Sequence, residues 1–266
     1  MLEKTEGMVM NSECSIFESH AHYDDDQFDV DRDMLLTSLP ERGIETVVNI
    51  GASLESCKRT LEIAKQYKHV YAAIGVHPDE VGSLNEETFE WLKKQFGEEK
   101  VVAVGEIGLD YYWDKESREI QKKWFIAQLH LAKELDLPVV IHSREATEET
   151  LNIMKEYGQG KGVIHCFSGS VEIAREYVKM GYYLGVGGVV TFKNSRVLKE
   201  VVEAMPLSSL VLETDCPYLA PVPNRGKRND STMLQYVAQE IAQIKGITYE
   251  EVVEVTRKNG KELYGI

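Results

Sequence analysis

Four of the seven histidines in this chain fall at the ends of short apolar runs. His20 and His22 follow "IFES", His142 follows "PVVI" and His165 follows "GVI". Two carboxylates are placed the same way, Glu106 in "AVGEIGLD" and Asp215 in "LVLETD". Taken singly, each reads as an ordinary strand-end residue. Taken together they form a donor set. Neutral imidazole and carboxylate suit borderline divalent cations such as Zn²⁺ or Mn²⁺. The pair in His20-Ala21-His22 shares one face, because side chains alternate along a strand. Leaving six such groups buried without partners would cost about 1–3 kcal/mol each, and a cation satisfies them jointly. Six donors exceed what one structural zinc needs. They suit two ions sharing a carboxylate, with Glu106 as the natural bridge. Asp215 would ligate one ion and take a proton from water.

Such a cluster needs a scaffold that brings distant strand ends together. Eight short β-branched runs recur along the chain: "SIFESH", "TVVNIG", "VYAAIGV", "VVAVGEIG", "PVVIHS", "GVIHCF", "YYLGVGG" and "LVLETD". Between them lie amphipathic stretches such as "SREIQKKWFIAQLHLAKELD" and "EATEETLNIMKEYG", apolar at i, i+3, i+4 and i+7. Continuous apolar strands suit a parallel sheet covered on both sides. Eight strand–helix units in 266 residues predict a single-domain (β/α)8 TIM barrel, with chemistry at the C-terminal ends of its strands. The segment "TYEEVVEVTRKNGKELYG" reads as a closing helix pair outside the barrel. Residues 1–15 read as a flexible extension, leaving 16–266 as the hydrolase domain. His69 and His130 lie away from strand ends and read as structural. The acids from Asp24 to Asp33 read as complements to the positive end of the following helix.

Composition narrows the function. No apolar run approaches the ~20 residues of a membrane span, and the N-terminus lacks a secretory pattern. Four scattered cysteines form no C-x-x-C pair, which argues for a reducing cytoplasm. A net charge of −14 excludes a general nucleic-acid coater. A nucleic-acid substrate would have to be held by local cations. No protein partner is evident.

The motifs "HAHYD", "GVHP", "VGEIGLDYYW", "PVVIHSREA", "IHCFSG" and "ETDCPYLAPVPNRGKRN", in this order from Ile16 onward, resemble the TatD family of metal-dependent deoxyribonucleases, within the amidohydrolase-like barrels. The resemblance implies one ion held by His20, His22, Glu106 and Asp215, and a second held by Glu106, His142 and His165. The two divalent ions would be Zn, Mn or Mg. His77 would contact substrate or support the site. Glu18 stands where the family usually has Asp, and residues 1–15 have no counterpart.

The implied activity is hydrolysis of DNA phosphodiesters, often from the 3′ end of single strands. Arg225, Lys227 and Arg228 after the eighth strand offer a cationic spot at the mouth. Arg144 could fork onto a phosphate, and Tyr111, Tyr112 and Trp113 could stack on bases. A water would attack phosphorus with help from Asp215. The alternative reading is a small-molecule amidohydrolase cleaving a C–N or ester bond; Glu106, where many such enzymes carry a modified lysine, weighs against it. A third reading is a barrel that has lost catalysis and only binds partners, which the intact donor set opposes.

Overall fold

The structure, a computed structural model, describes residues 15–113 and 115–266. The sequence expectation for the N-terminal extension therefore lies outside the described residues, apart from Ser15. Eight parallel strands pair in chain order: β1 Ile16–Ala21, β2 Ile44–Gly51, β3 Val70–Ile74, β4 Val101–Asp110, β5 Val139–Arg144, β6 Gly162–Ile164, β7 Tyr183–Val186 and β8 Leu210–Leu212. The helices are α1 Arg32–Ser38, α2 Leu54–Gln66, α3 Glu86–Gln95, α4 Arg118–Leu135, α5 Thr147–Tyr157, α6 Val171–Lys179, α7 Arg196–Ala204, α8 Leu234–Lys245 and α9 Tyr249–Tyr264. Each parallel connection needs a crossover, and the amphipathic helices supply it. Among the described residues no helix is long and apolar enough to cross a membrane.

Local sequence starts the helices where the periodicity places them. Ser117 accepts the Ile120 N–H to open α4, and Thr248 accepts the Glu251 N–H to open α9. Asn85 and Thr88 form a reciprocal capping box at α3. β1 and β4 are buried along their whole length, as strands between a packed interior and a helical shell must be.

The barrel closes differently at its two sides. Seven neighbouring pairs share parallel ladders, those of β1–β2, β3–β4 and β4–β5 with shifts of register, but β8 and β1 are joined by one isolated bridge among the described residues, Ala21 to Cys216. Other groups close this seam. The His22 N–H donates to the Cys216 carbonyl at 2.9 Å, and the Asp215 N–H to the His20 carbonyl at 3.0 Å. Ser19 Oγ donates to the Leu212 carbonyl at 2.8 Å. The buried Glu18 carboxyl accepts from Thr214 N–H at 2.9 Å, Thr214 Oγ1 at 2.7 Å and the His20 N–H at 3.2 Å.

The C-terminal segment is one 16-residue helix rather than the expected pair; α8 is its partner. α9 lies over the seam. Tyr264 Oη donates to the Ser19 carbonyl at 2.8 Å, and Asn259 Nδ2 donates to the Leu210 carbonyl at 2.7 Å. Gly260 lets the helix approach β1, since a Cβ there would stand 2.5 Å from the Phe17 ring. That ring is buried and stacked on Tyr264, so it cannot yield.

Two predictions follow from this closure. Gly260→Ala gains about 1 kcal/mol of helix propensity but loses about 1–3 kcal/mol to overpacking. A net loss in urea unfolding is expected, partly relieved by adding Phe17→Leu; a stabilised single variant would contradict the contact. Glu45 on β2 receives Arg257 Nη1 of α9 at 3.1 Å and also pairs with Lys261. Burial opposes ionisation there, but Lys261 and Arg257 outweigh it and hold the carboxyl below its usual 4.5. A lowered carboxylate pKa contributes stability above the unfolded value, and the contribution is lost as pH falls through the folded one. Glu45→Gln should cost under about 1 kcal/mol at pH 7, because the pair is part-exposed. Its deficit should begin to shrink in denaturation curves near pH 4.5 and vanish only below the depressed folded-state pKa.

Candidate metal centre

All six strand-end donors meet in one cluster at the C-terminal mouth. β1 delivers His20, and the residue after it is followed by His22; β4 delivers Glu106 and β5 delivers His142. His165 directly follows β6, and Asp215 lies three residues beyond β8. Strands β6 and β8 are thus shorter than the runs that predicted them. Cys166 and Asp215 take left-handed backbone angles, φ 45° and 56°, which turn the chain at the rim.

Glu106 sits at the centre, with its two oxygens facing opposite groups. Oε2 lies 3.6 Å from His20 Nε2 and 3.8 Å from His22 Nε2. Oε1 lies 2.8 Å from His142 Nδ1 and 3.6 Å from His165 Nε2. Asp215 Oδ1 is 3.3 Å from His22 Nε2 and 3.7 Å from His20 Nε2. The donor atoms of His20, Glu106 and His165 lie within 4.8 Å of one another, and so do those of His20, His22 and Asp215.

The far side of three of these rings meets an acceptor. His22 Nδ1 is 2.9 Å from the Ile50 carbonyl oxygen, which only accepts, so that nitrogen carries the proton. His165 Nδ1 stands 3.3 Å from Glu213 Oε1, and His142 Nε2 is 3.1 Å from Asp110 Oδ2. Such outer partners fix the ring so that its inward nitrogen presents a lone pair. His20 Nε2 and His22 Nε2 are only 3.0 Å apart, two inward nitrogens aimed at one point. This donor chemistry fits divalent cations.

The electrostatics follow the same layout. Burial alone would raise Glu106, yet the surrounding imidazoles, His165 and His142 foremost, hold its carboxyl well below the usual range. Burial drives His20 down and the nearby His165 adds to it. For His22 burial opposes protonation, but Asp215 and Glu106 prevail and lift it to about 9. His165 likewise rises to about 10 against burial, through Glu213 and Glu106. A cation and these protons would compete for the same nitrogens.

A cavity of about 700 Å³ opens over the cluster. Of the expected substrate contacts, Arg144 and His77 line it. The Arg144 guanidinium lies 3.9 Å over the Tyr112 ring and 5.4 Å from that of Trp113, and Trp113 also faces the cavity, 56% exposed. Tyr111 is turned away from it. Its hydroxyl donates to Glu149 on α5 and its face is covered by Arg118 at 4.1 Å, because the phenol finds a carboxylate behind the strand. The basic loop also departs from expectation. Arg228 forks onto Asp31 and donates to the Gln27 carbonyl at 2.7 Å. Arg225 stacks on Phe192 at 4.1 Å, and Lys227 reaches Asn224. None of these three lines the cavity.

Three supporting acids, Asp110, Glu213 and Asp24, do not follow from the sequence reading, whereas Glu18 does. Asp110, four residues after Glu106 on the same face of β4, fixes His142; its parity with Glu106 was the available signal. Glu213 supports His165 and accepts the Cys166 N–H at 2.5 Å. Asp24, expected to complement a helix, is buried at the cavity wall with its oxygens held by Asn49 Nδ2 at 2.9 Å and Ser56 Oγ at 2.6 Å. Glu18 lies beneath the cluster on Thr214 and the His20 backbone, and burial pushes its pKa up to about 8.

Comparison with known proteins agrees with this geometry. The family model described as TatD related DNase matches residues 17–265. A Bacillus subtilis protein named uncharacterized metal-dependent hydrolase YabD is 45% identical over 253 residues, covering 94% of this chain and 99% of its own. The Escherichia coli K12 protein named uncharacterized metal-dependent hydrolase YcfH is 34% identical over 256 residues, covering 94% and 96%. The crystal structure of YjjV, a TatD homolog from Escherichia coli K12, superposes with a TM-score of 0.90 at 31% identity, over 96% of this chain and 99% of that one. With its barrel, its imidazole–carboxylate cluster and a family match across nearly the whole chain, the protein belongs to the TatD family of metal-dependent hydrolases.

Proposed function

We propose that this chain is a deoxyribonuclease that hydrolyses DNA phosphodiester bonds, acting on single strands from the 3′ end, with two divalent cations. The observation that carries the reading is the division of Glu106, one oxygen toward His20 and His22 and the other toward His142 and His165. A carboxylate so placed suits a bridge between two ions, the arrangement that serves in-line displacement at phosphorus. His20, His22, Glu106 and Asp215 would hold one ion, and Glu106, His142 and His165 the other. When bound, Zn²⁺, Mn²⁺ or Mg²⁺ would supply Lewis acidity toward water and toward the phosphate oxygens.

The chain's own residues do the rest. Asp215 faces His22 through Oδ1, which leaves Oδ2 to take the proton of the attacking water. Asp110 and Glu213 hold His142 and His165 in the orientation the cluster requires. Arg144, the basic residue at the cavity wall without a carboxylate partner among the described residues, would receive the substrate phosphate. Trp113 offers an exposed ring for an unpaired base. The description of the matching family as TatD related DNase supports a DNA substrate. A cytoplasmic site of action accords with the scattered free thiols Cys57, Cys166 and Cys216.

One observation favours the second reading, a small-molecule amidohydrolase. The cavity wall also carries the acids Asp24, Asp25, Asp79 and Glu80, and Lys115 there is paired with Asp79 at 3.5 Å. Such a wall receives a polyanion less readily than a neutral amide or ester.

Digestion of end-labelled single-stranded DNA with Mg²⁺, Mn²⁺ or Zn²⁺, beside an amide and lactone panel, separates the two. Cleavage of DNA abolished by chelator is expected; turnover of the panel alone would refute the nuclease reading. Glu106→Ala should lower DNA turnover by more than about 100-fold while circular dichroism stays native. Near-normal activity in that variant would remove the bridge. Trp113→Ala should raise KM for single-stranded DNA about tenfold with kcat little changed, and an unchanged KM would take the ring out of substrate binding.

A further inference from the structure

His77 shares a face of the cavity with the cluster, and its donor atom lies within 4.8 Å of those of Glu106 and His142. By position it resembles a further ligand, but its hydrogen bonding gives it a different chemistry. The residue is held on both sides. Gln128 of α4 clamps the preceding residue, accepting the Val76 N–H at 2.8 Å and donating to the Val76 carbonyl at 3.1 Å. The His77 N–H donates to the Ala52 carbonyl at 2.8 Å. Its side chain then turns back along the chain, where Nδ1 accepts the Asp79 N–H at 3.2 Å. A backbone N–H only donates, so Nδ1 must present its lone pair, and a neutral imidazole then carries its proton on Nε2. To coordinate a cation through Nε2 the ring would have to move that proton to Nδ1, where it would face the Asp79 N–H donor to donor.

The Nε2–H thus formed has no acceptor in reach among the described residues. Glu106 Oε1 is 3.9 Å away, beyond hydrogen-bond distance. The ring packs edge-on to His142 with centroids 4.2 Å apart, and the side chain is 15% exposed, toward the cavity. A fixed donor that is almost fully desolvated and aimed at the reacting centre is what stabilises charge developing on an oxygen.

We propose that His77 is a neutral hydrogen-bond donor to a non-bridging oxygen of the substrate phosphate, through Nε2–H, and not a ligand of either cation. This rests on the phosphodiester reading given above. His77 acts as an electrophile without changing its own charge. No proton leaves the ring, and the two electrons of the N–H bond stay where they are while the phosphate oxygen gains a partner.

The test uses full-length protein labelled with ¹⁵N-histidine and loaded with Zn²⁺, with His77 assigned by the signal missing from His77→Gln. Long-range ¹H–¹⁵N spectra should show protonated Nε2 and unprotonated Nδ1, and inorganic phosphate should shift the Nε2–H resonance. His77→Phe should keep the wild-type zinc content by elemental analysis, bind phosphate at least tenfold more weakly and lower kcat on single-stranded DNA by about 100-fold or more. His77→Gln, which keeps a donor, should recover part of both and guards against a folding defect in the Phe variant. A proton on Nδ1, a zinc equivalent lost in either variant, or a His77 signal unmoved by saturating phosphate would overturn the proposal. Failure of the wild type to cleave DNA, with the phosphate response intact, would instead refute the nuclease reading and leave the donor in place.

Discussion

The seam between β8 and β1 is the constraint on which the site depends. Ladder pairing runs around the barrel and stops there, leaving one bridge among the described residues. A carboxyl completes what the ladder does not. Glu18 gathers the Thr214 N–H and hydroxyl and the His20 N–H onto one buried group. These bonds sit directly below His20 and Asp215, so the same contacts that shut the barrel set the spacing of the cluster. Burial favours the protonated acid, and the hydrogen bonds from Thr214 and His20 oppose it only in part. The side chain of Glu18 thus reaches across the seam from β1 to Thr214.

Above the seam, the cluster is organised around outer partners as much as around its inner atoms. The Ile50 carbonyl, Glu213 and Asp110 each hold the rear nitrogen of an imidazole, and each comes from a different strand or the turn beyond one. The rings therefore converge on Glu106 because the backbone around them is fixed. His77 obeys the same logic with the opposite outcome. Its rear partner is a donor rather than an acceptor, and this reverses which nitrogen holds the proton. Two histidines can stand side by side in a cavity and differ in chemistry through a single backbone amide.

Much of this was legible in the sequence, and the reasons are specific. Strands buried on both faces leave continuous apolar runs, so all eight could be located, and barrel geometry then requires residues at their C-terminal ends to share a mouth. His20 and His142 follow from that, while Glu106 stands four residues short of the end of β4, which runs on to Asp110 beyond the expected run. Periodicity gave α4 and α5 nearly to the residue. Loop direction was not legible. Tyr111, Tyr112 and Trp113 are adjacent, and only the carboxylate of Glu149, thirty-eight residues away, draws the first of them out of the cavity. Arg228 read as a free cation because its partner Asp31 is 197 positions distant. Asp110 and Glu213 had the right parity, but their roles depend on which nitrogen of a ring they face, and that is a property of the assembled barrel.

The helix that lies over the seam has a consequence in time as well as space. α9 ends at Tyr264, whose hydroxyl reaches back to Ser19, 245 positions earlier. His20 and Asp215 stand on either side of the same joint, 195 positions apart in the chain. Contacts of such long range close a large loop before they gain anything, so they form more slowly than the local strand–helix units. The spacing of the cluster is therefore set by the slowest class of contact in the barrel.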